Sequence, residues 1–167
     1  AEGKESWSYV WDTKSEVDGY RQIKARATDS SQNVTDTSLF VIVDNTAPQS
    51  SIGFPASGSA FNGTELTITG TASDRPSWPI PPPVGVDRVE VSVNGGAWAQ
   101  AITTGTTAGE TQWQYSWSFG GEGAYTLTSR ATDKLGNVET PGGGIQVTVD
   151  NTRPLSVITS PSNGFEI

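Results

Sequence analysis

The side chains that could do chemistry in this chain are carboxylates. Its 167 residues include no histidine, cysteine or methionine, which leaves Asp, Glu, hydroxyls and ten Lys and Arg. Without imidazole or thiol the commonest general bases and nucleophiles are missing. No phosphate-cradling glycine loop, zinc-ligand spacing or nucleophile elbow occurs either. The expectation is therefore a chain with no catalytic residues, not an enzyme. Carboxylates in turn-rich sequence are better suited to a hard cation, since calcium gathers oxygens from carboxylates, amides and carbonyls on loops. Five aspartates stand where loops would gather them. Asp29 and Asp133 each close a strand ahead of a polar turn, Ser30-Ser31-Gln32-Asn33 and Lys134-Leu135-Gly136-Asn137. Asp44 and Asp150 each begin an Asp-Asn-Thr run, and Asp74 opens the loop after a strand. These five are the candidate calcium ligands, calcium being the one cofactor the sequence suggests and none being required. The other use of Asp at such places is to cap a turn through its neighbouring backbone, and both readings stand at this level.

The aspartates belong to a repeat. Arg26-Ala27-Thr28-Asp29 returns as Arg130-Ala131-Thr132-Asp133, 133 − 29 = 104 residues on. Val43-Asp44-Asn45-Thr46-Ala47-Pro48 returns as Val149-Asp150-Asn151-Thr152-Arg153-Pro154, 150 − 44 = 106 residues on. Trp7-Ser8-Tyr9-Val10-Trp11 recurs as Trp113-Gln114-Tyr115-Ser116-Trp117 at the same 106. Self-similarity at a fixed period is the mark of an array. The expected division is 1–47 as the C-terminal half of one module, 48–152 as a complete module, and 153–167 as the first strand of a following one. Such a chain looks cut from something longer. A fragment of about three strands is marginal alone, so the leading half needs strands from upstream sequence or from a neighbouring chain.

Nineteen Gly, ten Pro and only 17% charged residues favour short strands joined by tight turns. No signal peptide and no apolar run near the length of a membrane helix is present. The net charge of −8 argues against nucleic acid and anionic lipid as partners. Within 48–152 the alternation is legible. Ile52 and Phe54 begin an edge strand, and Leu66, Ile68, Gly70 and Ala72 share one face of a second. Val89, Val91 and Val93 lead into Asn94-Gly95, a dipeptide suited to a type I′ hairpin, and then Ala97-Trp98-Ala99. Trp113, Tyr115, Trp117 and Phe119 follow, then Tyr125, Leu127, Ser129 and Ala131, then Ile145, Val147 and Val149. About seven strands of period two, each with one polar face, predict a two-layer antiparallel sandwich. In it Tyr125 is either a core aromatic or a corner tyrosine.

The run Thr69-Gly70-Thr71-Ala72-Ser73-Asp74, then Val89 through Trp98, then Tyr125 through Asp133 with Gly136-Asn137, then Val147 through Thr152, resembles the bacterial Ig-like repeats of large secreted and cell-surface proteins. The resemblance covers the complete module and, less its front strands, the leading fragment. It implies an all-β chain of tandem immunoglobulin-like antiparallel sandwiches located outside the cell. It also implies a scaffolding task, a stalk, spacer, filament or wall element of the adhesin, surface-layer or filament type, rather than a reaction. Its partners would be neighbouring modules of the same chain or identical subunits. The short Asp-Asn-Thr-x-Pro links would limit the angles between modules, and calcium at such a link would make it similar to cadherin-type junctions.

Other residues offer rival functions. Trp78 and Ile80 lie in the Pro-rich insertion Asp74 to Val84, where stiff prolines lower the ordering cost of contact. There they form a candidate site for a surface glycan or protein, or simply fold over the sandwich end. An accessory region of a secreted hydrolase is a further alternative. Phe40 and Ile42 make the second face of their strand apolar, which suggests that something covers it. The Trp-Tyr-Trp ladders are expected to face the core. Tyr20 stands six residues before Arg26 whereas Tyr125 stands five before Arg130, which turns Tyr20 to the other face unless a bulge intervenes. Asn33-Val34-Thr35 and Asn62-Gly63-Thr64 are glycosylation sequons in turns.

Overall fold

The computed structural model describes residues 6–74, 84–107, 110–160 and 164. Two units follow one another. The first is a two-stranded antiparallel ribbon, β1 (Gly19–Thr28) and β2 (Val34–Val43), paired without interruption from Gly19 opposite Val43 to Thr28 opposite Val34. The second is a β-sandwich. One sheet contains β3 (Gln49–Phe54), β5 (Glu65–Ser73), β9 (Glu110–Ser118) and β8 (Ile102–Thr107) in that spatial order. The other contains β4 (Ala60–Phe61), β11 (Ile145–Val149), β10 (Gly123–Asp133), β6 (Val86–Val93) and β7 (Ala99–Gln100). Every pairing is antiparallel except β11 with β4.

The sandwich closes because period-two strands present one apolar face each. Ile68 and Ala72 of β5, Val89 and Val91 of β6, Trp113 and Trp117 of β9, Leu127 and Ala131 of β10, and Val147 and Val149 of β11 are all buried in one cluster. The intervening residues, such as Thr67, Gln112, Gln114 and Thr148, face solvent. Asn94 and Gly95 both take positive φ, 51° and 68°, and the Gly96 N–H closes the turn on the Val93 carbonyl at 2.9 Å. That is the geometry of a type I′ hairpin.

Two strands of the sandwich carry no sequence signal. β8 is a Thr-rich edge paired to β9, and β4 is a two-residue parallel strand on β11. Pairing at a sheet edge needs only backbone, so neither shows apolar alternation, and among the described residues the sandwich has nine strands against about seven expected. The hairpin after Asn94-Gly95 also pairs later than expected, at Ala99–Gln100. A second difference concerns the aromatic ladders. Trp113 and Trp117 are buried and Tyr115 partly so, but Trp7 and Tyr9 are exposed. Among the described residues no second sheet stands opposite the leading ribbon to receive them.

Trp113 sets the tightest steric condition in the core. It lies opposite Gly70, and a Cβ at Gly70 would come 2.0 Å from the Ser51 carbonyl oxygen and 2.4 Å from Trp113 Cζ2. The first neighbour is backbone, so neither rotamer change nor a small shift relieves the overlap. Gly70→Ala is accordingly expected to destabilise the chain by about 2 kcal/mol or more. Urea unfolding followed by tryptophan fluorescence measures this, and an unchanged midpoint would contradict the packing described.

Candidate functional site

The Asp-Asn-Thr-x-Pro links are held the same way in both copies. In the first, Thr46 N–H donates to Asp44 Oδ1 at 3.1 Å, an Asx turn; in the second, Thr152 N–H donates to Asp150 Oδ1 at 2.9 Å. A second carboxylate then takes the next donors. Asp18 accepts Asn45 N–H at 2.7 Å and also the Thr46 hydroxyl. Glu122 accepts Asn151 N–H at 2.7 Å and the Thr152 hydroxyl at 3.0 Å. Each Asn side chain finishes the lock on backbone, Asn45 Nδ2 on the Thr13 and Glu16 carbonyls and Asn151 Nδ2 on Gly63. Asp18 and Glu122 stand 104 residues apart, the spacing of Asp29 and Asp133. That common spacing is the signal from which sequence reasoning could have found them.

Three of the five candidate aspartates meet where the first link enters the sandwich. On β5 the inward positions run Ile68, Gly70, Ala72, and the next inward step is Asp74. On β10 they run Leu127, Ser129, Ala131, and the next is Asp133. Alternation has thus carried two carboxylates one step past the apolar layer into its rim. Asp44 reaches them from the link. The three are 7%, 0% and 1% exposed for Asp44, Asp74 and Asp133, and an oxygen from each lies within 4.8 Å of the others.

Each carboxylate is aimed by donors that use part of its capacity. Asp74 Oδ2 accepts Gly85 N–H at 2.6 Å. Asp133 Oδ1 accepts Leu135 and Asn137 N–H at 2.8 and 2.9 Å, and its Oδ2 accepts Asn137 Nδ2 at 2.7 Å. The same Asn137 amide donates to the Asp44 carbonyl at 3.0 Å, tying the turn to the link. Four buried side-chain polar atoms lack a partner among the described residues, and two of them, Asp44 Oδ2 and Asp74 Oδ1, belong to this trio. Burial pushes both the Asp44 and Asp74 carboxyls above their ordinary range, and the neighbouring carboxylates push further; the hydrogen bonds from Thr46 and Gly85 only partly oppose this.

Asp29 and Asp150 do not join the cluster. Asp29 is exposed and caps its turn as Asp133 does, accepting Ser31 N–H, Asn33 N–H and Asn33 Nδ2, each at 2.8 Å. Those bonds hold its carboxyl below the usual range. Asp150 is exposed at the second link. Trp78 and Ile80 lie outside the described residues. Phe40 is 68% exposed and shares a face of the ribbon with Ile42 and Tyr20. The offset of Tyr20 is not absorbed by a bulge: Gly19 faces Val43 as Gly123 faces Val149, so Arg21, not Tyr20, occupies the place of Tyr125. Tyr125 packs edge-on against Trp117 and donates to the Gly121 carbonyl at 2.9 Å, both core aromatic and corner tyrosine. Arg21 donates to the Val17 carbonyl, also four residues back. A guanidinium has replaced the phenol and kept the bond.

Residues 48–128 match the family model described as Bacterial Ig domain, and residues 5–77 match that described as Bacterial Ig-like domain (group 3). No curated protein matches the chain. Among solved structures, the fibronectin(III)-like modules of Clostridium thermocellum CbhA are similar at 24% identity with a TM-score of 0.45. That match covers 80% of this chain, which spans 63% of the length of the other.

The buried carboxylates give a pH dependence whose sign is fixed. Raised folded-state pKa values mean that the folded chain holds protons more tightly than the unfolded one. In chelator, stability is then fullest below the ordinary carboxylate pKa and falls as pH rises through the raised values of Asp44 and Asp74. Asp74→Asn keeps an oxygen for Gly85 N–H and removes one charge, so it should raise the melting temperature at neutral pH and flatten this decline. Thermal unfolding in chelator across pH 4 to 8 checks both, and a steeper loss in the variant would contradict the electrostatic account.

Proposed function

We propose that the chain, whose residues 48–128 and 5–77 match bacterial Ig and Ig-like family models, serves as a non-catalytic stalk or spacer segment of a bacterial protein outside the cell. The observation that carries this reading is the repeated link lock. A link of five residues ending in Pro has few free torsions. Its donors are taken up by Asp18 at one copy and Glu122 at the other. At the first copy Asn137 adds a bond from the far side of the link, from the unit that follows. A link bonded to both units transmits orientation, which is the property a stalk requires and a flexible tether lacks. Ig-like domains are typical of extracellular and surface proteins and are generally non-catalytic, in keeping with a chain that has neither histidine nor cysteine.

The test is whether the two units tumble together. Backbone NMR relaxation on the chain should give one rotational correlation time for β1–β2 and for the sandwich. Asp18→Ala, which frees Asn45 N–H and the Thr46 hydroxyl, should shorten the correlation time of the ribbon while leaving that of the sandwich near its original value. Independent tumbling in the unmutated chain would overturn the stalk reading.

A further inference from the structure

We propose that the outward face of the sheet β3-β5-β9-β8 holds a binding site for a neutral saccharide, in a cleft across the rung where Gly70 pairs with Trp113. The inference goes beyond the stalk reading and does not depend on it. The cleft has a volume of ≈ 390 Å³ and is lined by Gly53, Thr69, Thr71, Thr104, Gln112 and Gln114, with Gly70 and Trp113 between them. That size lies at the small end of ligand pockets. The backbone sets its place. Pairing skips Gly53 between Ile52 and Phe54 on β3, and skips Thr104 between Thr103 and Gly105 on β8, so both edge strands are bulged beside the Gly70–Trp113 rung. A bulge bends its strand, and the cleft lies between the two bends.

The lining decides the class of ligand. Thr hydroxyls and Gln amides both donate and accept, and so does every hydroxyl of a sugar. Thr69 stands opposite Gln114 and Thr71 opposite Gln112, a rectangle of roughly 4.8 by 6.6 Å, the scale of one pyranose ring. Among the described residues no charged side chain lines the cleft, although the chain has a net charge of −8. Charge on β5 and β9 is confined to Glu65 and Glu110 at their starts. The outward face of the other sheet is the reverse, with Arg88, Glu90 and Arg130 in ion pairs across β6 and β10. An ionic ligand finds no counter-charge in the cleft to offset its loss of water. An extended peptide binds a sheet through its backbone at an edge, whereas this cleft crosses the face and offers side chains.

The fold itself does not ask for these amides. At the repeat offset of 106, Trp113 and Trp117 correspond to Trp7 and Trp11, but Gln112 and Gln114 correspond to Ser6 and Ser8. Both glutamines are exposed. The aromatic positions of the strand recur, while the paired outward amides stand in the complete module and not in the leading copy.

Titration of the isotope-labelled chain with maltopentaose, cellopentaose and chitopentaose, followed by NMR, should shift the Gln112 and Gln114 side-chain amides and the Trp113 indole N–H with at least one of these sugars. Gln146, exposed on the outward face of the other sheet, should stay in place. The double variant Gln112→Ala, Gln114→Ala should weaken binding by at least about tenfold, while Gln146→Ala leaves it unchanged. Both replaced residues are exposed, and an unaltered melting temperature of the double variant shows that the loss is not misfolding. No shift with any of the three sugars, shifts of equal size at Gln146, or undiminished binding by the double variant would each overturn the site. Equal shifts of the same residues by polygalacturonate or by an uncharged Gly-Ser-Asn peptide would overturn the class of ligand. Binding and tumbling are read separately, so a failure here leaves the stalk reading standing.

Discussion

The structure of residues 49–149 depends on one constraint, that two sheets of short strands must bury their inner faces against each other. Loss of water from apolar area is the driving force, and the pleat dictates which residues take part. Trp113 and Trp117 fill the space between the sheets, and the Ser51 carbonyl together with Trp113 leaves no room for a Cβ at position 70. The same pleat delivers Asp74 and Asp133 to the rim. They are buried because they occupy inward positions of strands whose register is already fixed by Ile68, Ala72, Leu127 and Ala131. Core packing thus generates an electrostatic demand at the end of the sandwich nearest the link.

The two copies of the link separate what is local from what is contextual. The Asx turn and the carboxylate above it recur with nearly the same distances, although the acid is Asp18 in one copy and Glu122 in the other. Burial does not recur: Asp44 is buried against its neighbours and Asp150 is exposed. Local hydrogen bonding follows from the sequence of the link, whereas burial follows from what stands next to it. The corner shows the same division. Arg21 and Tyr125 are chemically unlike, yet each donates to a carbonyl four residues back, so the bond recurs at this position while the side chain that makes it does not.

Much of this was legible in the sequence, for reasons tied to particular residues. Alternation at Val89, Val91, Trp113, Leu127 and Val147 gave the sandwich because side-chain burial leaves a period-two trace. Asn94-Gly95 gave its hairpin because few residues accept positive φ. β4 and β8 left no trace, since an edge strand is bound by its backbone. The aspartates were visible as a set, but loop reasoning could not choose among them. Extending the inward alternation by one step from Ala72 and Ala131 would have singled out Asp74 and Asp133. The meeting with Asp44 is a tertiary fact, as is the joint use of Asn137 by turn and link.

The parallel pairing of β4 with β11 bears on how the sandwich carries mechanical load. Gly58 N–H bonds the Gln146 carbonyl at 2.6 Å, Thr148 N–H bonds Ser59 at 2.9 Å, and Asp150 N–H bonds Phe61 at 2.9 Å. Tension applied between Pro48 and Asp150 pulls these two segments lengthwise past each other in opposite directions. The three bonds are then strained in shear and share the force, whereas an antiparallel hairpin pulled from its open end gives way one rung at a time. Resistance to pulling is governed by the barrier to unfolding rather than by equilibrium stability. The six residues joined by these bonds, side by side along one sheet edge, would therefore act as its mechanical clasp.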